Sequence, residues 1–267
     1  MGMTVLIRGA GDIASGVALR LYRAGFSVVM TEIERPTTIR RTVAFSDAVT
    51  NGEQTVEHVT ALRAETWEEA CLYLDQGNIP VLVDPDCACR AQLKPDALVD
   101  AILAKRNLGT SISDAPIVIG VGPGFTAGVD CHAAVETMRG HTLGRVCYEG
   151  SALPNTNVPG LIGGFAGERV LRAPADGIFK STRRIGEHVE SGDTVGFVAG
   201  RPMQATISGV LRGLLADGVR VRKGMKSGDV DPRGDASCCD LVSDKALAVG
   251  GGVLEAILHF GAMNHGK

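Results

Sequence analysis

The sequence predicts an α/β protein: a mostly parallel sheet, a small inserted β domain and a C-terminal helix that returns to the sheet. Three observations predict it. Apolar strand-like runs alternate with helical segments over the first half, short strands punctuated by glycines follow from about residue 168, and a strongly apolar segment closes the chain. With 267 residues, 45% of them hydrophobic and 4% aromatic, the chain has aliphatic side chains enough for one large or two moderate domains. Thirty-five glycines beside that apolar content point to turns rather than disorder. The expected division is 1–165, 166–233 and 234–267.

The first element is "VLIRGAGDIASG" (5–16), a buried parallel strand running into a glycine turn. Gly9 permits the tight turn, Gly11 lets a phosphate approach the backbone, and Ala14 lets the next helix lie close to the strand. That helix, from Asp12 and Ile13 to about Arg23, aims unpaired N–H groups at an anion. "FSVVMTE" (26–32) ends in Glu32, about twenty residues after the glycines, where an acid bonds ribose hydroxyls. This is a Rossmann-like beginning. The glycine turn is equally compatible with an empty strand-to-helix connection.

The elements continue in order. Residues 39–52 have helical spacing and end at Asn51–Gly52, and 55–64 read as a short strand. Residues 66–77 form a helix with Thr66 as N-cap and Glu69 closing a capping box. "IPVLVDP" (79–85), "DALVDAIL" (96–103) and "APIVIGVGPGF" (115–125) read as further strands, the last entering a second glycine loop. Ligands in open α/β sheets sit at strand C-termini. Gly122, Gly124 and Thr126 therefore line one wall of the candidate crevice, and Lys105, Arg106, Asn107 and Thr110 supply cations and hydrogen bonds for an anionic ligand. Arg139, in "ETMRGH", adds a third cation. For each charged group a surface ion pair is the competing reading.

A net charge of −3 argues against nucleic acid as the main partner. No apolar run reaches membrane-spanning length and the chain enters a strand within a few residues, so neither a span nor a signal peptide is expected, and the cytoplasm is the expected location. The seven cysteines show no paired zinc spacing; "CAC" (87–89) and "CC" (238–239) are too close for ordinary ligand pairs, so free thiols and no metal are expected. No Tyr-x-x-x-Lys pair or nucleophile–base set stands out, which favours binding over turnover and leaves catalytic residues unassigned.

In the second half the chain repeats itself. Residues 173–198 align without a gap on 205–230, matching Gly177 with Gly209, Gly186 with Gly218, Val189 with Val221 and Gly192 with Gly224. Two such units resemble the barrel-sandwich hybrid of biotinyl and lipoyl domains. Gln204 stands beside Met203 where those carriers present the acylated lysine, so the segment is expected to stay unmodified. The tail from Ser243 to Phe260 is an apolar helix interrupted by Gly250–Gly252, which marks a bend or a close helix contact.

The segments "GAGDIASG", "VDAILAKRNLGT", "GVGPGFTAGVD", "GSALPNTNVPG" (150–160), "KSGDVDPRGD" and "SDKALAVGGGVLEAIL" together resemble the YqeB-type accessory proteins of selenium-dependent molybdenum hydroxylases, a family similar in its first part to xanthine and carbon monoxide dehydrogenase maturation factors. The resemblance implies help in preparing or inserting a molybdopterin-type cofactor, simple or dinucleotide, with the hydroxylase apoenzyme as partner. Self-association stays open. An NAD(P)-dependent oxidoreductase is the alternative, because a cradle for one pyrophosphate holds another.

Overall fold

Val5, Leu6 and Ile7 have no exposed surface, and the strand they form is the middle one of a nine-stranded sheet. A computed structural model describes residues 2–156 and 159–265; Asn157 and Val158, within the 150–160 motif, lie outside the described residues. The chain divides into two units, one of Met1–Glu34, Ala44–Asn155 and Val242–Lys267, the other of Arg35–Val43 and Thr156–Leu241.

The strands of the first unit are β1 (Thr4–Arg8), β2 (Ser27–Glu32), β3 (Glu53–Val56), β4 (Val59–Ala64), β5 (Ile79–Val83), β6 (Ala97–Asp100), β7 (Ile117–Val121), β8 (Thr126–Ala127), β9 (Ala133–Val135), β10 (Val146–Cys147) and β11 (Gly150–Ser151). Its helices are α1 (Asp12–Arg23), α2 (Asp47–Asn51), α3 (Trp67–Asp75), α4 (Arg90–Leu93) and α5 (Asp244–His265). The large sheet has the order β10-β9-β7-β6-β1-β2-β5-β4-β3. It is parallel from β9 across to β4 and antiparallel at both edges.

The expected Rossmann-like fold class is corrected here. A doubly wound sheet returns through helices on both faces. This sheet is mixed, and the crossovers from β6 to β7 and from β7 to β9 contain no helix. The reason is local: glycine, serine and aspartate dominate residues 109–114, which turn rather than coil. The expected strand at 55–64 is the second arm of a hairpin, reversed at Glu57 and His58 with φ of 45° and 71°. Two successive positive-φ residues twist the turn as the strands require, but Glu-His carries none of the usual Asn-Gly signal. Of the helical stretch at 39–52 only a 3₁₀ turn (Arg41–Val43) and α2 form. The Phe45 N–H donates to the Ser15 hydroxyl at 2.8 Å and the Ser46 N–H to the Ala10 carbonyl at 2.8 Å, which holds the segment as a loop.

Helix α5 lies against α1, and small residues set the approach. A Cβ on Gly16 would stand 2.6 Å from that of Ala246, and one on Gly250 would stand 2.8 Å from the Gly16 carbonyl oxygen. The glycine run that should weaken a helix is thus used for close contact. Thr66 caps α3 by accepting from the Glu69 N–H at 3.2 Å, while Glu69 accepts from the Glu65 N–H at 2.8 Å. Among the described residues no helix is long and apolar enough to cross a membrane.

The second unit holds β12 (Val170–Arg172), β13 (Gly177–Ser181), β14 (His188–Val189), β15 (Thr194–Val198), β16 (Arg201–Gln204), β17 (Gly209–Leu214), β18 (Arg220–Val221) and β19 (Lys226–Asp231). They make two four-stranded antiparallel sheets, β12-β19-β17-β14 and β16-β15-β13-β18. The expected inserted barrel-sandwich hybrid is corrected to this arrangement. Each sheet takes one strand from the opposite copy of the repeat, β14 beside β17 and β18 beside β13. Glycine spacing marks where strands turn; it does not say which strands pair. The core is Phe179, Val195, Val198, Leu211, Leu214 and Val230 with their neighbours. The unit also gathers residues 35–43, whose Ile39 carbonyl accepts from the Leu214 N–H at 2.7 Å.

Candidate functional site

Arg8 and Asp100 are the last residues of the buried runs "TVLIR" and "ALVD", so neighbouring strands β1 and β6 deliver them side by side. Both are buried. The Arg8 guanidinium donates to the Pro85 carbonyl at 3.1 Å, to the Leu108 carbonyl at 3.3 Å, to the Thr110 hydroxyl at 3.0 Å and to Asp100 Oδ2 at 3.4 Å. The Thr110 hydroxyl in turn donates to Asp100 Oδ2 at 2.6 Å. A cavity of about 250 Å³ opens beside this network, lined by Arg8, Asp86, Cys87, Arg90, Thr110 and Asp114 among others. It lies at the C-terminal ends of parallel strands, where open sheets leave room for ligands.

Of the residues expected to bind a cofactor, Thr110 alone lines this cavity. Asn107 organises the loop: its Oδ1 accepts from the N–H groups of Gly109 (2.9 Å) and Thr110 (2.8 Å), and its Nδ2 donates to the Thr110 carbonyl at 2.7 Å. Lys105, with φ +64°, and Arg106 are exposed on the same loop. Gly124 brings the second glycine loop onto it, since a Cβ there would stand 2.5 Å from the Arg106 Cα. Gly122, φ +84°, has Thr137 at 3.1 Å from where its Cβ would be. The Thr126 N–H donates to Asp130 at 2.8 Å and its hydroxyl pairs with that of Ser151 at 3.0 Å. Arg139 is not in the crevice chemistry; it forms a bidentate pair with Asp244 at 2.6 and 3.0 Å.

In the first glycine turn one backbone donor is already taken. The Ala10 N–H, a donor that a phosphate would use, already donates to Glu32 Oε2 at 2.9 Å, and the other Glu32 oxygen accepts from Ile33 at 2.8 Å. Glu32 thus braces β2 against the turn, and burial pushes its carboxyl upward despite those two bonds. Asp12 occupies the first turn of α1 and repels an anion at the helix N-terminus. Gly9, φ +99°, is needed because a Cβ would meet the Ala101 oxygen at 3.1 Å; Gly11 is extended (φ −64°, ψ 179°), a conformation any residue adopts. Ile13 is buried in the helix face. Removing the brace by Glu32→Ala leaves the Ala10 N–H without its acceptor and should cost about 1–3 kcal/mol in urea unfolding, whereas Glu32→Gln should stay closer to the parent. Equal stability of Glu32→Ala and the parent would contradict the bracing role.

Arg8, Asp100 and the turn at 84–89 are the residues that sequence reasoning missed. A signal existed: a charged residue ending an otherwise buried run sits at the strand terminus, where a site forms. The turn is built by Asp84, whose carboxylate accepts from the N–H groups of Ala88 (2.9 Å) and Cys89 (2.8 Å). It places Cys87 at φ +56°, a strained value for a residue with a Cβ, and buries it against the cavity. Among the described residues no three His, Cys, Asp or Glu side chains cluster as metal ligands would.

Fold and site together define an α/β protein with a small polar cavity at the ends of parallel strands. No family model matches the chain. It is 56% identical over 254 residues to the uncharacterized protein YqeB of Escherichia coli, a match covering 95% of this chain and 47% of that protein. The chain spans about half the length of the curated relative it matches. Among solved structures it is similar to an aspartoacylase family protein from Mesorhizobium loti (11% identity, 86% and 85% of the two chains, TM-score 0.28). It is similar also to a succinylglutamate desuccinylase/aspartoacylase from Rhodobacter sphaeroides (17%, 88% and 87%, TM-score 0.26). TM-scores this low do not establish a common fold.

Proposed function

We propose that this protein is an accessory factor in the maturation of selenium-dependent molybdenum hydroxylases, and that it holds the pterin end of a molybdenum cofactor beside Arg8. The observation that carries the reading is the lining of the cavity, which holds both Arg8 and Arg90 and both Asp86 and Asp114. A pterin edge presents an amino group and a ring N–H that one carboxylate accepts together, and ring acceptors that a guanidinium serves. A phosphate dianion would meet those carboxylates as well as the cations. The volume, about 250 Å³, falls below the roughly 300–1,000 Å³ of sites that bury drug-sized ligands. A nucleotide extension would therefore lie outside the cavity. The near end-to-end resemblance in the motifs quoted above supports the pathway. When bound, the cofactor supplies the redox metal that the hydroxylase uses; the residues of this chain bind and orient it.

Titration of the purified protein with 6-hydroxymethylpterin, followed by quenching of pterin fluorescence, tests the site. Asp86→Asn should weaken binding about tenfold, the loss of roughly one charge-assisted hydrogen bond. Absence of saturable pterin binding by the parent protein would overturn the assignment. In cells, deleting this gene should abolish activity of the selenium-dependent hydroxylase, and normal activity would remove the accessory role.

A further inference from the structure

The two copies of the repeat in the second unit are closed by the same backbone bonds. In one, the Gly224 N–H donates to the Ala173 carbonyl and the Ala173 N–H to the Met225 carbonyl, both at 2.9 Å. In the other, the Gly192 N–H donates to the Ala205 carbonyl and the Ala205 N–H to the Asp193 carbonyl, both at 2.8 Å. One residue before each glycine the N–H turns to a side chain: Lys223 to Asp176 Oδ1 at 2.6 Å, and Ser191 to Ser208 Oγ at 3.1 Å. The scaffold matches position for position, and the side chains mounted on it do not.

Where one copy has His188, Glu190, Ser191 and Asp193, the other has Arg220, Arg222, Lys223 and Met225. The first set closes on itself, since Glu190 accepts from the Ser208 hydroxyl at 2.6 Å and stands 3.6 Å from His188 Nδ1. The second set stays open. Among the described residues the side chains of Arg220, Arg222 and Lys223 have neither a hydrogen bond nor an ion pair. Buried Val221 lies between the two arginines and turns both away from the core. All three cations line one cavity of about 560 Å³, together with Asp176 and the half-buried Met225, which packs against the core. Like charges gathered on one small surface repel one another. A fold that accepts Glu190 and Ser191 at the matching positions does not require cations there.

We propose that this cavity binds a small organic phosphate, with the phosphoryl group held by Arg220, Arg222 and Lys223 and the apolar body of the ligand lying on Met225. Guanidiniums serve phosphate oxygens in pairs, and an ammonium adds a compact charge. The three cations outweigh the one carboxylate of the lining, whose Oδ1 the Lys223 N–H already engages. The volume, about 560 Å³, falls within the roughly 300–1,000 Å³ of small-molecule sites. Replacement of Asp193 by Met225 in this copy supplies the apolar floor just where the cations gather. The inference does not rest on the pterin reading, because every residue in it belongs to the second unit.

The test is a titration of the full ¹⁵N-labelled chain at low salt with phenyl phosphate, inorganic phosphate or phenol, read from the backbone amides. Phenyl phosphate should shift Gly177, Val221 and Gly224 saturably. Inorganic phosphate should move the same amides with about tenfold weaker affinity, the apolar contact being lost, and phenol should move none. Arg222→Ala should weaken phenyl phosphate binding about tenfold. The double variant Arg222→Glu, Lys223→Ser installs the residue types that the scaffold already carries at 190 and 191, and should abolish binding while the other amides of the unit keep their positions. Absence of saturable shifts in the parent chain would overturn the proposal, and that measurement needs no variant to fold. So would equal affinities for phenyl phosphate and inorganic phosphate, parent-like binding by the double variant, or equal shifts at 188–193. Tighter binding of a hexaglutamate peptide at the same amides would also overturn it, making the groove a contact for an acidic polypeptide.

Discussion

Asp100→Ala should lower the stability of the first unit by about 3–5 kcal/mol, the cost of leaving a buried cation without its counter-charge. Arg8 is 8% exposed and Asp100 2%, so water cannot replace the lost carboxylate. Thr110 loses the acceptor it meets at 2.6 Å, and the Ile102 N–H loses Asp100 Oδ1 at 3.2 Å. The carbonyls of Pro85 and Leu108 still receive Arg8 but carry no charge to balance it. A domain is stable by about 5–15 kcal/mol, so a large share of the total is at stake. Asp100→Asn keeps an acceptor for Thr110 and should cost less, about 1–3 kcal/mol. The single tryptophan, Trp67, sits at the start of α3 in this unit, and its fluorescence follows the urea transition. A loss below about 1 kcal/mol for Asp100→Ala would show that the ion pair does not hold the strand ends.

Asp229→Ala should cost the second unit a comparable amount, about 3–5 kcal/mol. Asp229 is 1% exposed and accepts from two guanidiniums, those of Arg169 and Arg212. Arg169 would keep the Gly160 carbonyl at 3.1 Å, and Arg212 would keep Asp231 at 3.1 Å. Arg169 would lose the Asp229 carboxylate, and Arg212 would depend on Asp231, which also serves Arg233 at 2.7 Å. Trp67 does not report on this unit, so amide hydrogen exchange along β17 and β19 is the measurement. Protection in those strands should fall by about two to four orders of magnitude, the stability loss expressed as a population. Unchanged protection would mean that apolar packing around Phe179 and Leu211 carries the unit without the charges.

The sequence by itself determined which segments bury and which turn. Val5–Ile7 and Ile117–Val121 read as buried strands because an apolar run bounded by glycines has nowhere else to go, and Thr66 with Glu69 marks a helix start through bonds made within one turn. The glycine repeat at 173–230 likewise locates the turns of the second unit. These are short-range properties, and a single sequence carries them. Only the tertiary structure decided how the segments pair. Antiparallel edges on the large sheet, helix-free crossovers after β6, and the exchange of β14 and β18 between sheets depend on contacts far apart in the chain. The site divides the same way. Gly9, Gly122 and Gly124 are legible as special backbone positions, yet their space is filled by the chain itself. Glu32 and Arg139 are legible as charges, yet Ala10 and Asp244 take them. Whether a charged group meets a ligand or a neighbour is set by which groups the fold brings within about 3 Å. That distance joins Arg8 to Thr110 across 102 residues, and no local pattern encodes it.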